Sequence, residues 1–193
     1  MRLCVYGASS SDIDDFYVEK TYELAKELAS HDIGMVYGGG AQGLMGAAAR
    51  GMTSGGGEII GVSPTFFDVE GVLYKHCTEF IYTETMRERK RIMEEKADGF
   101  IVLPGGIGTF EEFFEILTLK HLKRHNKPIA VFNIKGYYDK LWEAVEYAIT
   151  EKFLGESTRQ LVYIGQDIEG IAQYFKNYDP NTVVKTEKDK YVK

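Results

Sequence analysis

The stretch "GFIVLPGGIGTFEEFFEI", residues 99–116, decides the fold. Phe100 to Leu103 form an unbroken apolar run, which predicts a strand buried on both faces. Pro104 lacks an N–H and suits a strand end. Gly105, Gly106 and Gly108 come next and are free to take positive φ. Helical periodicity then opens over 109–124, with Phe110, Phe113, Phe114 and Leu117 as its apolar face. A continuous apolar strand passing through a glycine loop into a helix is one unit of a parallel sheet with crossover helices.

The same unit recurs on either side. "RLCVYG" (2–7), "IGMVYG" (33–38), "EIIGVS" (58–63), "EFIYT" (79–83), "PIAVFN" (128–133) and "LVYIG" (161–165) read as strands. Helical patterns cover 14–31, a small-residue segment after "GGGAQG", 84–97, 137–151 and 168–176. Pro64 to Thr78 reads as an irregular loop. The expectation is a doubly wound α/β fold, a mostly parallel sheet with helices on both faces, in a single domain over 1–178. Residues 179–193 lack apolar periodicity and read as a flexible C-terminal tail. Ligands in such sheets bind beyond the carboxyl ends of the strands. That geometry singles out three loops: "GASSSD" (7–12), "GGGAQG" (38–43) and "PGGIGT" (104–109).

Composition narrows the function. The 193 residues are 44% hydrophobic and 27% charged, with a net charge of −6. That balance disfavours a nucleic-acid partner, which needs a basic face. No apolar run reaches membrane-spanning length, and no secretory pattern precedes the first strand. The two cysteines, Cys4 and Cys77, make no framework, and the four histidines show no ligand spacing. The chain therefore reads as cytoplasmic, without a metal site, a cofactor, a membrane or a nucleic-acid partner.

Each loop has a functional and a structural reading. Gly38, Gly40 and Gly43 spell G-x-G-x-x-G, but the acidic residue a dinucleotide site wants, Glu58, begins its strand instead of ending it. Gly105, Gly106 and Gly108 lead into a helix start, where free N–H groups and the positive dipole end favour an anion. No lysine follows as in a nucleoside-triphosphate loop. Thr109 and Glu112 also spell T-x-x-E, so they either cap the helix or serve chemistry about one turn, ~5 Å, from the loop. The helix "TETMRERKRIMEEKAD" carries Arg87, Arg89, Lys90 and Arg91. It is either a solvated face paired with Glu88, Glu94 and Glu95, or a source of cations for an anionic ligand in a neighbouring or symmetry-related site. Ser9, Ser10 and Ser11 either bind ligand or cap the helix near Asp12.

Taken together, "PGGIGTFEE", "ETMRERK", "VYGGGAQGLMG" and "CVYGASSS" resemble, in order, the signatures of the Lonely Guy family of cytokinin riboside 5′-monophosphate phosphoribohydrolases. Proteins of that family have also carried the label lysine decarboxylase. The resemblance runs from residue 2 to about 175. It implies a Rossmann-like fold, a homodimer, and hydrolysis of the N-glycosidic bond of an N6-substituted AMP to free base and ribose 5-phosphate. It maps the catalytic pair to Arg89 and Glu112. Lys90, Gly105, Gly106, Gly108 and Thr109 match nucleotide-binding positions; Ile107, where plant members have tyrosine, Glu70 and Ser9 are further candidate contacts. On this mapping the glycine loop takes the phosphate, and Glu112, helped to stay ionised by the helix dipole, faces the sugar cation. Arg89 orients the sugar or phosphate, or assists the leaving base. The alternatives are a general AMP or purine nucleotide N-glycosidase, and a non-catalytic carrier of nucleotides or molybdenum cofactor.

Overall fold

The computed structural model describes residues 1–182, 184 and 185. Seven strands form one sheet: β1 (Arg2–Tyr6), β2 (Gly34–Tyr37), β3 (Ile59–Pro64), β4 (Glu79–Thr83), β5 (Gly99–Val102), β6 (Ile129–Phe132) and β7 (Tyr163–Gly165). Their order is β4-β3-β2-β1-β5-β6-β7 and every pairing is parallel. Five helices lie between strands, α1 (Asp15–Ser30), α2 (Gly43–Ser54), α3 (Met86–Lys96), α4 (Ile107–His121) and α5 (Asp139–Thr150), and α6 (Ile168–Asn177) follows β7. This is the expected Rossmann-like α/β architecture.

The continuous apolar strands make sense once both faces are covered. Leu3 and Val5 of β1 join one core with Leu24, Leu28, Ala48 and Phe175, so α1, α2 and α6 cover that face. Cys4 and Tyr6 point into the opposite core with Met93, Phe113 and Leu117, beneath α3 and α4. Burying a side chain such as Phe113, only 1% exposed, contributes ~2–3 kcal/mol by itself. Cys4 and Cys77 are free thiols, and burial pushes both upward. No helix among the described residues is long and apolar enough to cross a membrane.

The chain reverses direction beside β1. From there β2, β3 and β4 extend one way and β5, β6 and β7 the other. The loops after β1 and β5 are joined at this switch point, where Ala8 N–H donates to Pro104 O at 3.0 Å. Leu44 N–H donates to Ala8 O at 2.9 Å, which brings the start of α2 to the same place. The three loops singled out in the sequence therefore share one edge. Glu58 lies at the other edge, bonded to Arg2 at 2.9 Å, so the dinucleotide reading of Gly38 to Gly43 lacks its acidic partner.

Past α6, Asn126 Nδ2 donates to the carbonyls of Pro180 and Thr182. The start of the expected tail is thus held against the loop before β6. Val183 and residues 186–193 of that tail lie outside the described residues.

Candidate active site

Helix α4 begins earlier than its pattern suggested. Its N-cap is Gly106 and Ile107 is the first helical residue, so Thr109 is the third residue of the helix and not its cap. The T-x-x-E box read at Thr109 and Glu112 is therefore not formed. The physical reason is local. The Thr109 side chain folds back over Gly105, where a Cβ would overlap Thr109 Oγ1, and so the turn closes two residues sooner. Nor do Gly105, Gly106 and Gly108 take positive φ. The anion-facing donors belong to the helix start itself, and a Cβ at Gly106 or Gly108 would meet open space. Ile107, between those two glycines, is 86% exposed.

With the helix start moved, Glu112 lies six residues beyond Gly106, ~9 Å along the axis instead of ~5 Å. It is half-buried, and its carboxylate makes no hydrogen bond or ion pair among the described residues. Desolvation pushes its pKa up to about 7, with Arg89 and Lys90 pulling down and Glu111 and Glu115 pushing up. The help expected from the helix dipole in keeping Glu112 ionised is outweighed. The group sits in the second helical turn, where the dipole fades, and burial is the larger effect.

Arg89 comes from α3 and is buried at 9% exposure. The helix is started by Thr85, whose hydroxyl accepts from Glu88 N–H at 3.1 Å, while the Glu88 carboxylate accepts from Glu84 N–H at 3.0 Å. This capping arrangement, spelled T-x-x-E, went unread in the sequence. Arg89 Nε donates to Val62 O at 3.1 Å, and Nη1 reaches Met86 Sδ at 3.6 Å. Of the five guanidinium N–H groups, these two contacts leave three free to bind a ligand. The guanidinium lies over Gly38, whose missing side chain makes the room; a Cβ there would overlap Nη2 and stand 2.8 Å from Cζ. Gly38 thus accommodates the guanidinium of Arg89 within the same chain.

A cavity of about 280 Å³ opens beside Arg89. Ser9, Gly38, Gln42, Met45, Ser63, Phe67 and Leu73 line it with the arginine. The irregular loop after β3 supplies Phe67 and Leu73, while Glu70 of the same loop is exposed and outside the lining. Ser10 and Ser11 are exposed, and α1 is capped by Asp14 instead of near Asp12. Lys90 bonds Glu111 and also Glu115, the latter at 2.9 Å, tying α3 to α4. Burial alone would lower its pKa, but the two carboxylates outweigh it and the net shift is upward. Arg91 pairs with Glu95 on the solvent face. Among the described residues no group of histidine, cysteine or carboxylate side chains has a metal-holding arrangement.

Phe114, expected on the buried face of α4, is 37% exposed. It borders a second, larger groove of about 790 Å³ between α4, α5 and the turn after α5, with Leu122, Phe153 and Leu154. This groove holds none of the charged groups described above.

The arrangement places a desolvated carboxylate, a guanidinium with free donors and an unfilled helix start along one sheet edge. Comparison with known proteins identifies the family. The family model described as "Possible lysine decarboxylase" matches residues 45–175. A cytokinin riboside 5′-monophosphate phosphoribohydrolase of Arabidopsis thaliana is 35% identical over 179 residues, covering 93% of this chain and 84% of the relative. One from Oryza sativa subsp. japonica is 35% identical, covering 93% of this chain and 74% of the relative. The molybdenum cofactor carrier protein of Chlamydomonas reinhardtii shares the fold, with a TM-score of 0.68 at 22% identity over 91% of this chain and 95% of its own. On the sequence relatives, the chain belongs to the Lonely Guy family of cytokinin riboside 5′-monophosphate phosphoribohydrolases.

Proposed function

We propose that this chain is a cytoplasmic N-glycosyl hydrolase that cleaves N6-substituted adenosine 5′-monophosphate to the free base and ribose 5-phosphate. The observation that carries the reading is Glu112, a carboxylate without a hydrogen bond or ion pair among the described residues, between an open helix start and an arginine with free donors. The 5′-phosphate lies against the N–H groups of 105–109, with the ribose beside Glu112. The base points toward the cavity next to Arg89.

The C1′–N9 bond breaks with its electron pair leaving on the base, and positive charge develops at C1′. Ionised Glu112 stabilises that charge more in the transition state than in the ground state. A water oxygen then bonds to C1′. With a pKa near 7, Glu112 can take a proton from that water, and the departing base is protonated in turn. The free N–H groups of Arg89 meet negative charge gathering on the base. Lys90 acts through Glu111 and Glu115 by holding α3 against α4.

Release of base from N6-isopentenyl-AMP, AMP and the matching nucleosides, compared at equal concentration, tests the reading. N6-substituted monophosphates should be preferred and nucleosides should fail. Equal rates on AMP would make the chain a general purine nucleotide N-glycosidase. A bound monophosphate that survives intact for hours would make it a carrier. The apolar groove bordered by Phe114 and Leu122, with Phe153 85% exposed, supports a homodimer through this face. Phe153→Asp should then halve the mass measured by light scattering.

A further inference from the structure

The segment "NIKGYYD", residues 133–139, leaves β6 at the same sheet edge and turns sharply. Lys135 and Gly136 both take positive φ, 53° and 70°. Buried Asn133 closes the turn. Its Oδ1 accepts from Tyr138 N–H and its Nδ2 donates to Asp139 Oδ1, both at 2.7 Å. The turn aims two neighbouring phenols at the loop after β5. Tyr138 O–H donates to Leu103 O at 2.7 Å, and Tyr137 O–H donates to Gly105 O at 2.7 Å. Pro104 O, between them, accepts from Ala8 N–H.

All three carbonyls from Leu103 to Gly105 are thereby bonded away. In a trans peptide the C=O and N–H of one unit point in opposite directions. The carbonyl of the Gly105–Gly106 peptide is held by Tyr137, so the Gly106 N–H is turned from that bond. Among the described residues neither Gly105 N–H nor Gly106 N–H has an acceptor. Gly105 is buried while Gly106 faces the open, and two adjacent N–H donors without protein acceptors beside a helix start fit an anion.

We infer that Tyr137 is a positioning residue for phosphate: by holding Gly105 O it fixes the Gly105–Gly106 peptide with its N–H toward the 5′-phosphate of the substrate. The inference rests on the proposed reading of this loop as the phosphate cradle. Tyr137 does not reach the reacting atoms. Its ring packs edge-on against Tyr17 and Tyr138, at 6.2 and 5.1 Å, so Tyr137→Phe keeps those contacts and deletes one O–H. Tyr138→Phe is the matched comparison. It deletes a similar bond, but the peptide it holds ends on Pro104, which has no N–H to aim.

The test measures base release from AMP with inorganic phosphate as competing ligand. Tyr137→Phe should raise KM for AMP and Ki for phosphate together, about five- to tenfold, with kcat within about twofold, as expected when one charge-assisted hydrogen bond is misaligned. Tyr138→Phe should lower Tm and leave both constants within about twofold. Unchanged KM and Ki in Tyr137→Phe overturn the inference, and so does an equal loss in both variants, which marks general loosening. Nucleosides turned over as fast as nucleotides by the unaltered chain, with no inhibition by phosphate, sink the cradle itself and this inference with it. If no turnover is seen, calorimetric titration of AMP and adenosine gives the same comparison: Tyr137→Phe should lose affinity for AMP alone.

Discussion

Glu112→Gln should stabilise the folded chain while removing its activity. The Glu112 carboxyl moves from the usual 4.5 up to about 7 because burial outweighs Arg89. Each unit corresponds to 1.36 kcal/mol, so ~2.5 units set an upper bound of ~3 kcal/mol. Partial exposure screens this, leaving ~1–3 kcal/mol. The sign follows from linkage. With the folded pKa above the unfolded one, the fold is favoured while the group stays protonated. That contribution is complete below about pH 4.5 and is lost as pH rises through about 7. Glutamine carries no charge, so it escapes the loss. At roughly 2–4 °C per kcal/mol for a chain of this size, Tm of Glu112→Gln should exceed that of the unaltered chain by about 2–12 °C at pH 8. The gap should close as pH falls toward 4.5. Calorimetric melts at half-unit steps from pH 4.5 to 8.5 would show it. A glutamine variant no more stable at pH 8, or a gap that does not change with pH, would refute the claim that desolvation dominates at this carboxylate.

Other outcomes follow from the same geometry. For base release, kcat/KM in the free enzyme should rise with pH around a midpoint of about 7, because the ionised form of Glu112 faces the developing cation. Arg89→Ala removes the cation that lowers the Glu112 pKa, so residual activity should need a more alkaline pH as well as being far lower. Gly38→Ala forces the guanidinium aside. Turnover should drop by about 10²-fold or more while circular dichroism stays unchanged; full activity would show that this placement of Arg89 is not needed. Thr85→Ala deletes the α3 cap and should cost ~1 kcal/mol, read as a Tm lower by ~2–4 °C.

The fold was readable because its strands are short, continuous and apolar, a pattern that only a sheet covered on both faces tolerates. The candidate residues were readable because Gly105 to Glu112 lie within a dozen positions of one strand end. What was missed depends on tertiary neighbours. The T-x-x-E signature occurs twice, and local pattern does not say that Thr85 and Glu88 form the box while Thr109 folds onto Gly105. The raised pKa of Glu112 is a burial effect, which a dipole argument drawn from helix position alone does not contain. Gly38 looked like part of a dinucleotide motif, yet its smallness answers to Arg89, 51 residues later in the chain. Tyr137 gave no signal, since its partner carbonyl lies 32 residues away on another loop.

The connection from β4 to β5 carries the chain, through α3, from one edge of the sheet back past β3, β2 and β1. Arg89 rides on that return path, and Glu112 arrives only with the segment after it. On the proposed reading, a polypeptide still emerging from the ribosome, or one clipped before α4, brings no cleaving pair together. On that reading the order in which the strands are threaded acts as an interlock on a hydrolytic reaction that cannot be undone cheaply.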